Sequence, residues 1–378
     1  MEPIPIQFII GQLTFGGSER HLVDLVLRLD PALFRPQVIC LRRNGPLAAT
    51  LQAAGVSYRE IPVVRALRPP LWELTRAVRT FSPRVVCVYT YIDKLWGRLA
   101  AILAGVPVVV SSFRGVRWAW YERLLLRGTT AVIANSHALE SLFRARYGLP
   151  EHKVRYLPNG VDLSRFRPRH EGEDATTQAS GGAPACRQLQ KAFGFEPEIE
   201  LTAMVARFNS VKDHGTALRA FALVRKQRPR ARLALIGHGP REAFIRRLCA
   251  ELGIADAVRL LPANTPVPDM FAAADLVLLT SRSESLPRVL VEAAACGRPT
   301  LATRVGGCPE VVLDGETGLL AEAGNPADVA EKWCSLLADP QRRARMGHAG
   351  RAFVCREHSL ENMAARFQEF ILGLLPQP

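Results

Sequence analysis

Short β-branched runs alternate with helix-like segments along almost the whole chain, and that alternation leaves few folds open. The first half contains IQFII, PQVICL, RVVCVYT, PVVVSS and TTAVIANS; the second contains ELTAMVARF, ARLALIG, AVRLLP, DLVLLTS and PTLATRVGG. Strand-length runs separated by helix-length segments predict parallel strands joined by crossover helices. Each series supplies about five strands, enough for one doubly wound sheet, and 378 residues suit two α/β domains better than one core. Such sheets bind ligands at the carboxyl ends of their strands, so function is to be sought in the loops that follow the runs.

A hydrophobic content of 48% with 22% charged residues describes a globular chain. No apolar run reaches the roughly 18 residues of a membrane span. The opening MEPIPIQFIIG has neither the basic region nor the length of a signal peptide, so a cytoplasmic location is expected. The eight cysteines form no CxxC pair and no Cys/His cluster, which favours buried free thiols over zinc or disulfides. Charge is unevenly spread: residues 1–160 hold 21 Lys and Arg against 10 Asp and Glu, or eleven of the fourteen net positive charges. A basic first half implies an acidic partner, such as anionic lipid head groups, a phosphorylated acceptor or nucleic acid, or simply an arginine-rich surface.

A domain boundary is expected near LPNGVD, residues 157–162, where Asn159-Gly160 reads as a tight turn. Domains of 1–160 and 161–358 follow from it. Residues 170–186, HEGEDATTQASGGAPAC, lack large apolar side chains and are expected to be a disordered insertion. The tail carries Leu360, Met363, Phe367, Phe370 and Leu374 at helical spacing, an apolar stripe that must pack somewhere.

Residues 275–307, DLVLLTSRSESLPRVLVEAAACGRPTLATRVGG, read as strand, loop, helix and strand. Glu284 and Glu292 bracket a seven-residue gap within them. Pro287 suits a first helical turn with Ser283 or Ser285 as cap, so a helix N-terminus that attracts phosphate faces the loop. The loop of VARFNSVKDHGT places Arg207 and Lys212 five residues apart after a strand, two cations suited to a diphosphate. Taken singly they would be ordinary surface cations. Gly237 and Gly239 in IGHGPRE, and Gly16 and Gly17 in GQLTFGGSERHLVDLVLRL, let backbone approach a ligand; Ser18 is the expected cap of the helix after Gly17. Neither glycine loop is a GxGxxG or Walker sequence, which argues against NAD or ATP chemistry.

Taken in order, GGSER at 16–20, ANSHAL at 134–139, PNGVD at 158–162, ARFNSVKDH at 206–214, IGHGP at 236–240, the glutamate pair with EAAACGRP at 292–299, and GGCPEVVLDGETGLL at 306–320 resemble glycosyltransferase family four. The resemblance implies a GT-B fold of two facing doubly wound domains with a cleft between them, and a C-terminal helix, 359–378, that crosses back to the first domain. It implies transfer of a sugar from a nucleoside-diphosphate sugar to the hydroxyl of a glycan or glycolipid acceptor, with retention of anomeric configuration and no metal or other cofactor. It further implies that Arg207 and Lys212 hold the donor diphosphate, Glu292 the ribose and Glu284 the transferred sugar. Backbone around Leu286 and Pro287 would meet the phosphates, Gly237 would line the donor site, and the Gly16-Gly17 loop would close on the donor.

Two positions depart from the family pattern. Ser285 stands where a glycine is common, and SSFRGVR replaces a loop that often carries a histidine, which makes Arg114 the acceptor-side candidate. GVRWAWYERLLLRG, residues 115–128, interleaves arginines with aromatics and suits either a helix on an anionic membrane surface at the inner face of the cell membrane or a core-packed helix. Nucleic acid is not an expected partner under the resemblance. Two other readings stand beside transfer: a nucleotide-sugar epimerase of the same fold, and a basic membrane- or nucleic-acid-binding module.

Overall fold

A computed structural model describes residues 2–14, 16–42, 45–61, 71–89, 91–115, 121–168, 190–191, 193–195 and 199–376. The expected insertion at 170–186 lies outside these residues. The chain divides into two compact units, Met1–Gly160 with Leu360–Pro378, and Val161–Ser359.

In the first unit, strands β1 (Ile4–Ile10), β2 (Phe34–Cys40), β3 (Ser57–Glu60), β4 (Val85–Val88), β5 (Val108–Phe113), β6 (Ala131–Ala134) and β7 (Val154–Tyr156) form one sheet in the order 3-2-1-4-5-6-7. Each strand pairs with its neighbours in parallel. Parallel strands buried on both faces need apolar side chains throughout, and β4 and β6 are buried at all four positions. In the second unit β8 (Glu200–Val205), β9 (Ala231–Ile236), β10 (Val258–Leu261), β11 (Leu276–Leu279), β12 (Thr300–Thr303) and β13 (Gly318–Ala321) pair in the order 10-9-8-11-12-13, again parallel. Both sheets therefore reverse their winding direction beside their first strand, between β1 and β4 and between β8 and β11. That reversal opens the crevice in which doubly wound sheets hold ligands.

Three strands, β3, β7 and β13, lie outside the two expected series of five. All three close a sheet edge; β3 (SYRE) is polar and mostly exposed and β7 (VRY) is only three residues long, so neither carries an apolar run. The Asn159-Gly160 pair is not a turn. A Cβ on Gly160 would lie 2.8 Å from Leu360 Cδ2 and 3.0 Å from Leu360 Cα. Glycine is required there because the helix Leu360–Leu374 packs on its backbone, a constraint set 200 residues downstream. Leu360, Met363, Ala364, Phe367 and Ile371 of that helix are buried in the first unit's core, where Phe367 meets Phe8 at a ring separation of 6.0 Å.

Candidate functional site

In the second unit the β8 and β11 loops flank the winding reversal, and they carry the expected residues. Asp213 caps the helix His214–Gln227 by accepting from Thr216 N–H, which orders the end of the β8 loop. Asn209 Oδ1 accepts from Lys212 N–H at 3.1 Å, which tightens the loop before it. The β11 loop is tied to it: Thr280 Oγ1 donates to the Asp213 carbonyl at 3.0 Å, and Arg282 N–H donates to the Val211 carbonyl at 2.8 Å. Across this junction the Lys212 ammonium is ion-paired with Glu284 Oε1, and Ser281 Oγ donates to the same oxygen at 2.6 Å. Residues 72 positions apart in sequence thus form one charged pair, with the Glu284 side chain only 10% exposed.

Glu292 lies on the helix Arg288–Ala295 that follows, 3.5 Å from Arg288 of the preceding turn, each side chain 14% exposed. Arg288 places a cation in the first turn, where the helix dipole already favours anions. Neither Ser283 nor Ser285 caps this helix. The cap residue is Pro287, without a side-chain cap bond, because the extended Pro287 backbone already sets the entry. Leu286 is buried in the core, which anchors the loop from beneath. Arg207 is exposed and makes no ion pair among the described residues. Gly237 is pressed on the β8 end: a Cβ there would fall 2.1 Å from the Ala206 carbonyl oxygen. Cys308, next to this cluster, is no nucleophile, since burial and then the Glu284 carboxylate push its thiol up to about 12.

The first unit holds the remaining candidates. Gly16, not Ser18, caps the helix Gly17–Val26, and the Glu19 carboxylate folds back over it, receiving a hydrogen bond from Gln12 at 3.1 Å. Arg114 follows β5. Its guanidinium donates to Asn159 Oδ1 and contacts His21 Nε2, and it lies 5.4 Å over the ring of Tyr89. Asn159, His21 and Tyr89 are all buried, so Arg114 is held in one orientation rather than left as a surface cation. Of the 115–128 segment, residues 116–120 lie outside the described residues; the rest holds a helical turn, Glu122–Leu125, that runs on into a 3-10 turn, Leu126–Gly128. Glu122 is fully buried against Arg98 at 2.6 Å, and Leu125 and Leu126 face the core, while Leu124 is 62% exposed. This part is therefore core-packed with one outward leucine.

Ser281, Asn209, His21 and Arg288 escaped the reading of the sequence. Arg288 left a signal, four residues before Glu292 on one helical face; Ser281 and Asn209 each bond a residue three positions on, within loops whose fold the sequence does not announce, and His21 acts through a contact 93 residues away.

Residues 187–353 match the family described as "Glycosyl transferases group 1", and residues 15–165 match "Glycosyltransferase Family 4". The chain is 33% identical over 376 residues to D-inositol 3-phosphate glycosyltransferase of Nocardiopsis dassonvillei, covering 88% of this chain and 84% of that protein. It is 31% identical over 261 residues to the protein of that name from Segniliparus rotundus, 67% of this chain and 55% of that one. The chain thus spans about half the length of several curated relatives it matches. Among solved structures, Anabaena HepE in complex with UDP-glucose superposes with a TM-score of 0.83 at 20% identity, covering 98% of this chain and 100% of that one.

Proposed function

Since the chain belongs to glycosyltransferase family 4, the glycosyl transferases group 1, we propose that it moves a sugar from a nucleoside-diphosphate sugar to an acceptor hydroxyl with retention of configuration. The observation that carries this reading is the Lys212–Glu284 pair beside the winding reversal of the second sheet, with Glu292 and Arg288 on the helix that follows the same loop. The acceptor oxygen forms a bond to the anomeric carbon as the carbon–oxygen bond to the diphosphate breaks, and the acceptor proton leaves on a diphosphate oxygen. Arg207 and Lys212 offset the charge that develops on that leaving group, which is the work a metal ion performs elsewhere. Glu284 accepts hydrogen bonds from the sugar and Glu292 from the ribose. Arg114 of the first unit is the acceptor-side residue, preset by Asn159 and His21. The relatives named above are transferases by description, which disfavours the epimerase and binding-module readings.

One measurement tests this. A thermal-shift panel of UDP, GDP and ADP sugars, run in EDTA, is expected to show one nucleotide class raising Tm, since saturation at 100 times Kd stabilises by about 2.7 kcal/mol. No response from any nucleotide at millimolar concentration sinks the reading, and a response only with added divalent ion overturns its metal independence.

The basic first unit, with Leu124 and Trp72 exposed at 62% and 67%, favours in addition a peripheral contact with an anionic membrane, where a lipid-linked acceptor would be met. No helix among the described residues is long and apolar enough to cross one. Sedimentation with vesicles containing anionic lipid is expected to carry the protein down at low salt and release it at high salt. Equal binding to neutral vesicles speaks against this contact.

A further inference from the structure

A cavity of about 300 Å³ opens on the far end of the β8 loop, lined by Asn209, Asp213, Arg219, Arg241, Phe244 and Arg282 together with His214, Gly215 and Ser210. None of Arg207, Lys212, Glu284 or Glu292 lines it. Three guanidinium groups face one carboxylate, and that carboxylate is engaged: Asp213 accepts from Thr216 N–H, from Thr216 Oγ1 at 2.9 Å and from Arg282 Nε at 2.8 Å. Burial opposes its ionisation, but the hydrogen bonds from Arg282 and Thr216 outweigh burial and hold the carboxyl below its usual range. Asp213 therefore has little left to offer Arg219 and Arg241, and among the described residues neither has a carboxylate partner.

The remaining geometry suits an anion. The helix His214–Gln227 begins at the cavity, so its positive end adds to the arginines. Gly215 leaves room there: a Cβ would sit 3.0 Å from Arg219 Nη1 and 3.6 Å from Phe244 Cζ. Arg241 stacks 4.1 Å over the Phe244 ring, which fixes its fork and leaves an apolar wall beside it. His214 adds no charge of either sign, since burial holds its pKa down to about 4, and both ring nitrogens are buried without a hydrogen-bond partner. Asp213 itself sits at φ 44°, a left-handed conformation that a non-glycine residue keeps only when its surroundings impose it.

We propose that this cavity is a second anion site, separate from the donor residues, which takes a phosphoryl group, free or carried on a small polyol or sugar. The volume exceeds what bare phosphate needs and lies at the lower end for small-molecule pockets. The site shares its loop with Lys212, and Arg282 lies two residues from Glu284. A bound anion therefore steadies the segment that presents both, and any effect on donor affinity is reciprocal.

Isothermal titration of the full chain with inorganic phosphate and, separately, with glycerol 3-phosphate tests this, against potassium chloride of matched ionic strength. Saturable binding of either probe is expected; the tighter of the two identifies free phosphate or a phosphate ester as the source. Arg219→Gln and Arg241→Gln are each expected to weaken binding by about tenfold, the value of one charge-assisted hydrogen bond, and by more than Lys212→Ala does. Arg219 is exposed and Arg241 half-buried at the surface, so either variant can report if the other fails to fold. Heats no larger than those of chloride, or binding lost in Lys212→Ala and kept in both arginine variants, overturn the site. The titration needs no sugar donor, so its failure is distinct from a failure of the transferase reading.

Discussion

Lys212→Ala is expected to lower kcat/KM for sugar transfer by roughly 10²–10³-fold, the loss seen when one group aimed at developing transition-state charge is removed. Two effects combine in that number. The leaving diphosphate loses an ammonium group. In addition Glu284, whose side chain is only 10% exposed, loses its cationic partner and keeps Ser281 Oγ as its remaining side-chain donor. A buried carboxylate deprived of its cation is costly, and it is relieved by taking up a proton or by turning outward; either change removes it as an acceptor for the sugar. Ser281→Ala takes away one hydrogen bond and no charge, so a much smaller loss is expected. Steady-state kinetics with the nucleotide sugar that responds in the thermal-shift panel measure both. Parent-like kcat/KM in Lys212→Ala would remove the residue from the chemistry and the paired site with it.

Gly306→Ala is expected to impair both stability and turnover, although residue 306 offers no side chain to any substrate. Gly306 lies at φ 49°, and a Cβ built there falls 1.8 Å from the Glu284 carbonyl oxygen, a backbone atom that cannot swing aside. The β11 loop must move for an alanine to fit. Thr303 Oγ1 donates to the Ser281 carbonyl at 2.5 Å, so the strand that leads to Gly306 and the loop that carries Glu284 are already joined and move together. The left-handed backbone alone costs an alanine about 1–3 kcal/mol, and a unit of this size loses roughly 2–4 °C of Tm per kcal/mol. Displacing Glu284 by about 1 Å is enough for a 10²-fold drop in turnover. A variant with the parent's Tm and kcat would mean that the contact between Gly306 and Glu284 does not set the loop.

These two residues differ in how they could be read. Lys212 declares itself in sequence, because a cation five residues after Arg207 in a strand-to-helix loop already suits a diphosphate. Gly306 sits in VGGCPE, where the letters announce a glycine but not its reason, which is a carbonyl 22 residues earlier in the chain. The same limit explains the misread cap and turn residues. Ser18, Ser283 and Ser285 are sound caps by composition, yet Gly16 and Pro287 hold those positions because the loops enter the helices in extended conformations set by the sheets beneath. Asn159-Gly160 has the composition of a turn, and its glycine answers instead to the packing of a helix near the other end of the chain.

The sequence by itself determined the class of fold and the chemistry on offer. Strand-to-helix periodicity is local, and it predicts two parallel sheets whose loops carry cations, carboxylates and glycines. Only the tertiary structure decided which of these meet: Lys212 with Glu284, Arg114 with Asn159 and His21, and three arginines around one cavity. Most of these contacts join loops distant in sequence, brought together where the strand order reverses beside β8 or β1, and strand order is a property of pairing between segments that no local pattern of residues encodes.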